Sequence, residues 1–333
     1  VHLGMAGREA MPRFLAMGVT SVRDMGGDPA VLRWRDSIAA GAMIGPRVRS
    51  AGLIVENARW LTAVIGMMKA QGRTSMVPEL ERRLGVATAE DAERAIDSLV
   101  RLGADFVKVR NAPPPPAAFA LLAAARARGL AVVGHAPPFA QLAVTSDSGF
   151  RGLEHPVLQV ANEGLVEAFS RMDSAGRHAL LQRMARNGTA WTPTLVSGRA
   201  RLLPDSLKRR MVDDTSGSID VAFRALPPPM RTAWRNELDN GMRDPDTRTD
   251  WGAIHRATLP LVREALAAGV PILAGTDMPV IPLVPGYALH DEMAQLVRDA
   301  GLTPFQALRA ATVTPAEFMG LGAELGQVRP GMR

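Results

Sequence analysis

The chain has 333 residues, 39 Lys and Arg against 33 Asp and Glu, and no cysteine. Without thiols there can be no disulfide, no Cys-ligated zinc and no thiol nucleophile, so any metal must be held by His, carboxylate or modified Lys. The net charge of +6 comes from Arg dispersed among acidic residues rather than from a basic block, which argues against nucleic-acid binding. No apolar run reaches the length of a membrane span.

The length accommodates one large α/β barrel or two ordinary domains. Apolar strands alternating with Ala- and Leu-rich helices favour a parallel α/β fold. A strand is expected at the first residues, and 18–24 reads as a second, leaving a helix through Gly18. Residues 47–53 follow a Gly-Pro turn and read as the third. The pattern over 88–101 is helical, with Thr88 as N-cap and Glu90 and Asp91 at the positive helix end. A fourth strand, 105–108, runs into four prolines that stiffen the loop and open a helix over 117–128, which Gly129 stops. Strands over 131–135 and 152–155 follow, separated by a helix. Residues 189–195 read as the seventh strand and 270–277 as the eighth. Between these two, 197–260 is rich in Arg, Asp and Pro and reads as an insertion, either a substrate lid or an elaborated surface helix pair. Eight strands predict a single (β/α)8 TIM barrel over 1–333, with active-site residues at the C-terminal strand ends.

Several strands end in a residue that could bind a metal. His135 and His155 leave successive βα units at the same end, a metal-site geometry, although a lone strand-end His is more often a hydrogen-bonded structural residue. Asp277 ends the last strand, where a helix cap is the competing role. Lys108 sits in Phe106-Val107-Lys108-Val109, and a Lys inside an apolar strand is costly unless paired or neutralised. Its side chain either snorkels or, as a neutral amine, takes up carbon dioxide to form a carbamate. His2 is a fifth candidate at the edge of the sequence.

These residues, in this order, resemble the metal-dependent amidohydrolase superfamily, nearest its imidazolonepropionase-like and prolidase-like branch. The family opens with His-x-His on the first strand. Val1-His2-Leu3-Gly4 matches the second histidine, and the first would lie one residue upstream. Lys108 matches the carbamylated lysine of strand four, His135 and His155 the histidines of strands five and six, and Asp277 the aspartate of strand eight. The resemblance extends through Pro285-Gly286-Tyr287-Ala288-Leu289-His290 to Pro330-Gly331. It implies a binuclear site, with zinc as the expected metal, on His2, Lys108, His135, His155 and Asp277. Asp277 would be ligand and general base, with His155 beside it in catalysis. It also implies a small flanking β-sandwich, built from both termini, that is missing here.

For substrate contacts, Arg110 and Tyr287 are the expected residues, with His290. His290 and Glu292 open the helix after Tyr287, where support of the site or a cap is the alternative role. The expected partner is a small molecule or short peptide, such as a dipeptide or an N-acyl amino acid, and a homo-oligomer is left open. No leader is visible, so the compartment stays open: cytoplasmic, or periplasmic or secreted if a leader was removed. Two rivals remain. One is a mononuclear enzyme that opens a cyclic amide or deaminates a ring. The other is a non-catalytic barrel that binds a small molecule.

Overall fold

A computed structural model describes residues 1–74, 77–135, 139–156, 169, 172–239 and 250–333, the side chains of 139–141 excepted. Eight short strands form two parallel sheets. The first pairs β1 (Ser21–Asp24) with β2 (Arg47–Ser50). The second comprises β3 (Ile54–Asn57), β4 (Leu84–Val86), β5 (Val107–Val109), β6 (Val132–His135), β7 (Phe150–Glu154) and β8 (Ala190–Thr192), in the order β4-β3-β5-β6-β7-β8.

Neither sheet closes by itself; backbone hydrogen bonds outside them complete the ring. The Asp105 N–H donates to the Ser50 carbonyl at 2.9 Å and joins β2 to the segment leading into β5. On the other side of the sheet, Trp191 N–H donates to Pro271 O, and Leu273 N–H to Trp191 O, both at 2.9 Å. His2 N–H reaches Met278 O at 2.8 Å, and Met25 N–H reaches Val1 O at 2.8 Å. Residues 1–2 and 271–278 therefore supply the two staves missing from the sheets. The expected TIM barrel is the fold: strands stand at six of the eight expected positions, and at the other two, 1–2 and 271–278 run as bonded staves outside the two sheets.

The details differ from the sequence reading in three places. The 47–53 strand breaks after Ser50, because Gly52 takes a left-handed conformation (φ 65°) and turns the chain into β3. β3 then pairs with β5 through Ile54–Lys108, and β4 adds to its far side. The seventh strand stops at Thr192, and Leu195 already belongs to a helix. The eighth is held by a single bridge, Ile272 to Trp191, rather than by a long ladder.

Helix ends follow local chemistry. Thr88 and Asp91 form a capping box at the helix Ala89–Leu102, which Gly103 ends in a left-handed conformation. Pro115 occupies the first turn of Pro115–Ala127, where its missing N–H costs nothing.

The main core lies between strands and helices: Val55, Ile96, Leu99, Val107, Leu121, Leu153, Leu181 and Val262 are buried there. Each such side chain contributes roughly 1.5–3 kcal/mol by leaving water. A second cluster joins Leu3, Met11 and Phe14 to Ala200, Phe223 and Trp234 from the 197–260 stretch, and to Met278 and Leu283. That stretch contributes the helices Leu195–Leu202, Asp205–Asp213, Pro228–Asp239 and Trp251–Ala267, while its part 240–249 lies outside the described residues. No helix among the described residues is long and apolar enough to cross a membrane.

Candidate active site

Four of the expected residues, His2, His135, His155 and Asp277, meet at one end of the barrel, and Lys108 lies within electrostatic reach of three of them. Asp277 Oδ1 lies 3.5 Å from His2 Nε2 and 3.7 Å from His155 Nε2. The His135 and His155 rings stand edge to face with centroids 5.1 Å apart. Lys108 lies in the middle of β5, 1% exposed, and its Nζ has no hydrogen-bond partner among the described residues.

Neighbouring groups anchor three of these side chains, His2, His155 and Asp277. His2 is set by Asp24, which is fully buried and accepts from Leu3 N–H at 2.8 Å and from Ser50 Oγ at 2.6 Å. The His2 ring rests its Nδ1 3.3 Å from the Gly26 carbonyl. His155 Nδ1 bonds Thr194 Oγ1 at 2.9 Å, and Ser197 Oγ lies 3.5 Å from Asp277 Oδ2. Three non-glycine residues among those described have positive φ, and all three are here: His155 (65°), Thr194 (48°) and Asp277 (54°). Such conformations are uncommon outside glycine and gather at functional sites, where the surroundings over-determine them.

Burial sets the charge states. It pushes the Lys108 amine down to about 8, against the pull of Glu154 and Asp277. It also pushes His155 down to about 4, although the Asp277 carboxylate opposes it. His135 is held well below the usual imidazole range by burial, with Lys108 adding to the effect. Burial alone would raise Asp277, but the His155 imidazole and the hydrogen bond to His2 outweigh it and hold the carboxyl well below its ordinary range. At neutral pH the two histidines are neutral, roughly a tenth of the lysine is a free amine, and the aspartate is ionised.

These are the forms in which such groups bind metal. Among the described residues no group of three or more His, Asp and Glu is assembled as a ready-made metal cluster. The donor chemistry nevertheless fits a divalent ion. Lys108 Nζ and His135 Nδ1 are buried polar atoms without partners among the described residues, which the fold tolerates poorly unless something else satisfies them. The 3.5 and 3.7 Å spacings also approach the ~3.3 Å expected between ligands of one tetrahedral ion with bonds of about 2.05 Å.

Beneath this group the barrel interior is charged. Arg23 of β1 spans it to reach Glu154 Oε1 at 2.7 Å and Thr192 Oγ1 at 3.1 Å, and lies over the Phe318 ring. A cavity with an empty volume of about 940 Å³ runs from His155 and Asp277 past Arg23 and Glu154 to Phe318. Of the expected substrate residues, Arg110 stands beside the group. It is tethered 3.6 Å from the buried Glu56 and lies over the Trp60 ring. Tyr287 is half-buried in the second core cluster, and exposed His290 bonds the Met17 carbonyl at 2.9 Å. No contact among the described residues links these two to the group around Asp277.

The sequence reading missed Arg23, Glu154, Thr194 and Ser197. Nothing marked Arg23, which sits in the mostly polar strand Ser21-Val22-Arg23-Asp24. Glu154 was visible only as the neighbour of His155.

The family model for the amidohydrolase family matches residues 5–333. The chain belongs to the amidohydrolase family. Among solved structures this amidohydrolase resembles a bottromycin amidohydrolase, with 28% identity and a TM-score of 0.66 over 96% of this chain and 66% of that one. It also resembles a prolidase solved with N-methylphosphonate-L-proline (18% identity, TM-score 0.62, 97% of this chain and 69% of that one). A third similar structure is a putative prolidase from Bifidobacterium longum (22% identity, TM-score 0.61, 99% and 69%). The amidohydrolase thus spans about two-thirds of the length of these proteins. A comparison with curated proteins gave no match. Family and fold together mark an enzyme that hydrolyses carbon–nitrogen bonds.

Proposed function

We propose that this amidohydrolase cleaves the amide bond of a dipeptide or N-acyl amino acid at a divalent-metal site on His2, Lys108, His135, His155 and Asp277, with zinc the expected metal. The observation that carries the reading is the meeting of Asp277 with His2 and His155, at 3.5 and 3.7 Å, from three different staves of the barrel. When bound, the metal would supply Lewis-acid polarisation of the scissile carbonyl and lower the pKa of water from about 15.7 towards 7.

The chain's own groups supply the rest. The ionised Asp277 carboxylate takes the proton of the attacking water and passes it to the departing amine. His155, neutral and fixed through Nδ1, keeps its Nε2 directed at the same point. As a free amine, Lys108 adds to carbon dioxide, losing one proton to give a carbamate; this places two oxygen donors where Nζ now lacks a partner. Arg110, directly after β5, meets the substrate carboxylate. The dipeptide and N-acyl classes accord with the prolidase and bottromycin amidohydrolase likenesses.

Metal content per chain and turnover of a panel of dipeptides and N-acyl amino acids test the reading together. About two ions per chain with turnover is the expected result, and Asp277→Asn should then lose about 10²–10⁴-fold in kcat with an unchanged thermal midpoint. A content near one ion, with turnover of cyclic amides instead, would favour a mononuclear ring-opening enzyme. A chain that takes up no metal and turns over none of these substrates would sink the proposal.

A further inference from the structure

A threonine that starts a helix normally sits in the extended region and turns its side-chain oxygen onto an N–H of the first turn. Thr194, at the start of Leu195–Leu202, does neither: it is left-handed (φ 48°, ψ 49°) and makes no side-chain cap bond. For a β-branched residue that conformation is a genuine outlier. The capping duty falls to another helix, where the fully buried Glu292 of Tyr287–Arg298 accepts the Val196 N–H at 2.8 Å. The Thr194 hydroxyl is thereby released, and it bonds His155 Nδ1 at 2.9 Å.

The same segment grips His155 twice more. His155 N–H donates to Thr192 O at 2.9 Å, and Trp191 Nε1–H donates to His155 O at 3.2 Å. Those two bonds hold the backbone of His155 at its positive φ of 65°, and among the described residues Thr194 Oγ1 is the hydrogen-bond partner of the ring at Nδ1, leaving Nε2 towards Asp277. We infer that Thr194 is a positioning residue: its left-handed backbone, made possible by Glu292, aims the hydroxyl that sets the direction of the His155 imidazole. The inference rests on the reading of His155 as a metal ligand. Partners that orient a ligating histidine through its other ring nitrogen typically account for 10- to 100-fold in metal affinity.

The test is Zn²⁺ affinity, by chelator competition on the full chain, alongside the thermal midpoint. Thr194→Ser keeps the hydroxyl and should keep the affinity. Thr194→Val keeps the branched shape without the hydroxyl and should weaken Zn²⁺ by about 10- to 100-fold. Thr194→Gly should weaken it as much while raising the midpoint, because glycine accepts positive φ without strain. A merely structural residue cannot give that opposite movement of stability and affinity, so the glycine variant decides the matter even if the valine variant does not fold. Glu292→Gln, which keeps an acceptor for Val196, should leave the affinity unchanged. Wild-type affinity in both hydroxyl-less variants would overturn the role of Thr194 alone, as would affinity and midpoint falling together without recovery in Thr194→Ser. Failure of the wild-type chain to bind Zn²⁺ at all would instead remove the metal reading, and this inference with it.

Discussion

At the scale of single residues, Lys108 shows how burial prepares chemistry. An ammonium group at 1% exposure with no hydrogen-bond partner among the described residues is expensive, and burial answers by moving its titration down to about 8, which brings the free amine within reach near neutral pH. Lys108→Ala is therefore expected to empty the metal site, and short carboxylates such as propionate, added at millimolar levels, should restore part of both metal and turnover. Full metal content in the untreated variant would show that no bridging group comes from this position. Lys108 was legible in the sequence because a charge within an apolar strand demands an account. Thr194 was not, because threonine is ordinary in a strand and its left-handed backbone shows only in the fold, where Glu292 accepts the Val196 N–H and the Thr194 hydroxyl meets His155. His290 looked suitable for substrate contact by position alone, yet its ring is turned to Met17.

Among the elements, the β5–β6 pair sets the spacing between Lys108 and His135, and Gly134 makes that pairing possible. A Cβ at Gly134 would stand 1.9 Å from the Val109 carbonyl oxygen, in a backbone conformation (φ 151°) that side chains rarely adopt. Gly134→Ala should force the two strands apart, costing about 3 kcal/mol in a denaturant titration and disturbing the metal site more than the far helices.

The helix start held by Glu292 has its own pH signature. Burial raises this carboxyl to about 8 from an ordinary 4.5, so between those values the folded chain binds more protons than the unfolded one. Its contribution to stability is complete below about 4.5 and is lost as pH rises through about 8. Thermal midpoints of Glu292→Gln should fall less steeply than wild type across that window; parallel curves would place the titration elsewhere.

The strand positions were readable from apolar runs followed by polar ends. β3 and β4 escaped because Glu56 and Asn57 are tied to Arg83, Asn111 and Ala112 rather than following an alternating pattern. The left-handed turn at Gly52 that creates β3 is a tertiary event.

For the whole molecule, the Arg23 spoke matters as much as the ring it crosses. Arg23 leaves β1, traverses the interior and ends on Glu154 of β7 and Thr192 of β8, so one side chain ties opposite walls together. Arg23→Met would leave Glu154, 3% exposed, as an uncompensated interior charge; a loss of about 3–5 kcal/mol is expected, read as a lower midpoint in denaturant. The double variant Arg23→Met with Glu154→Gln should recover much of it, because the stranded charge is gone.

The ring itself has a seam. His2 N–H to Met278 O is the bond that joins its first and last staves, and His2 Nε2 and Asp277 face each other across that join. An ion shared by His2 and Asp277 would therefore act as a clasp on the barrel as well as a reagent within it. For such a molecule, loading the site and fastening the fold are one event, and the first sign of the barrel coming undone would be silence at the active site while the helices still stand.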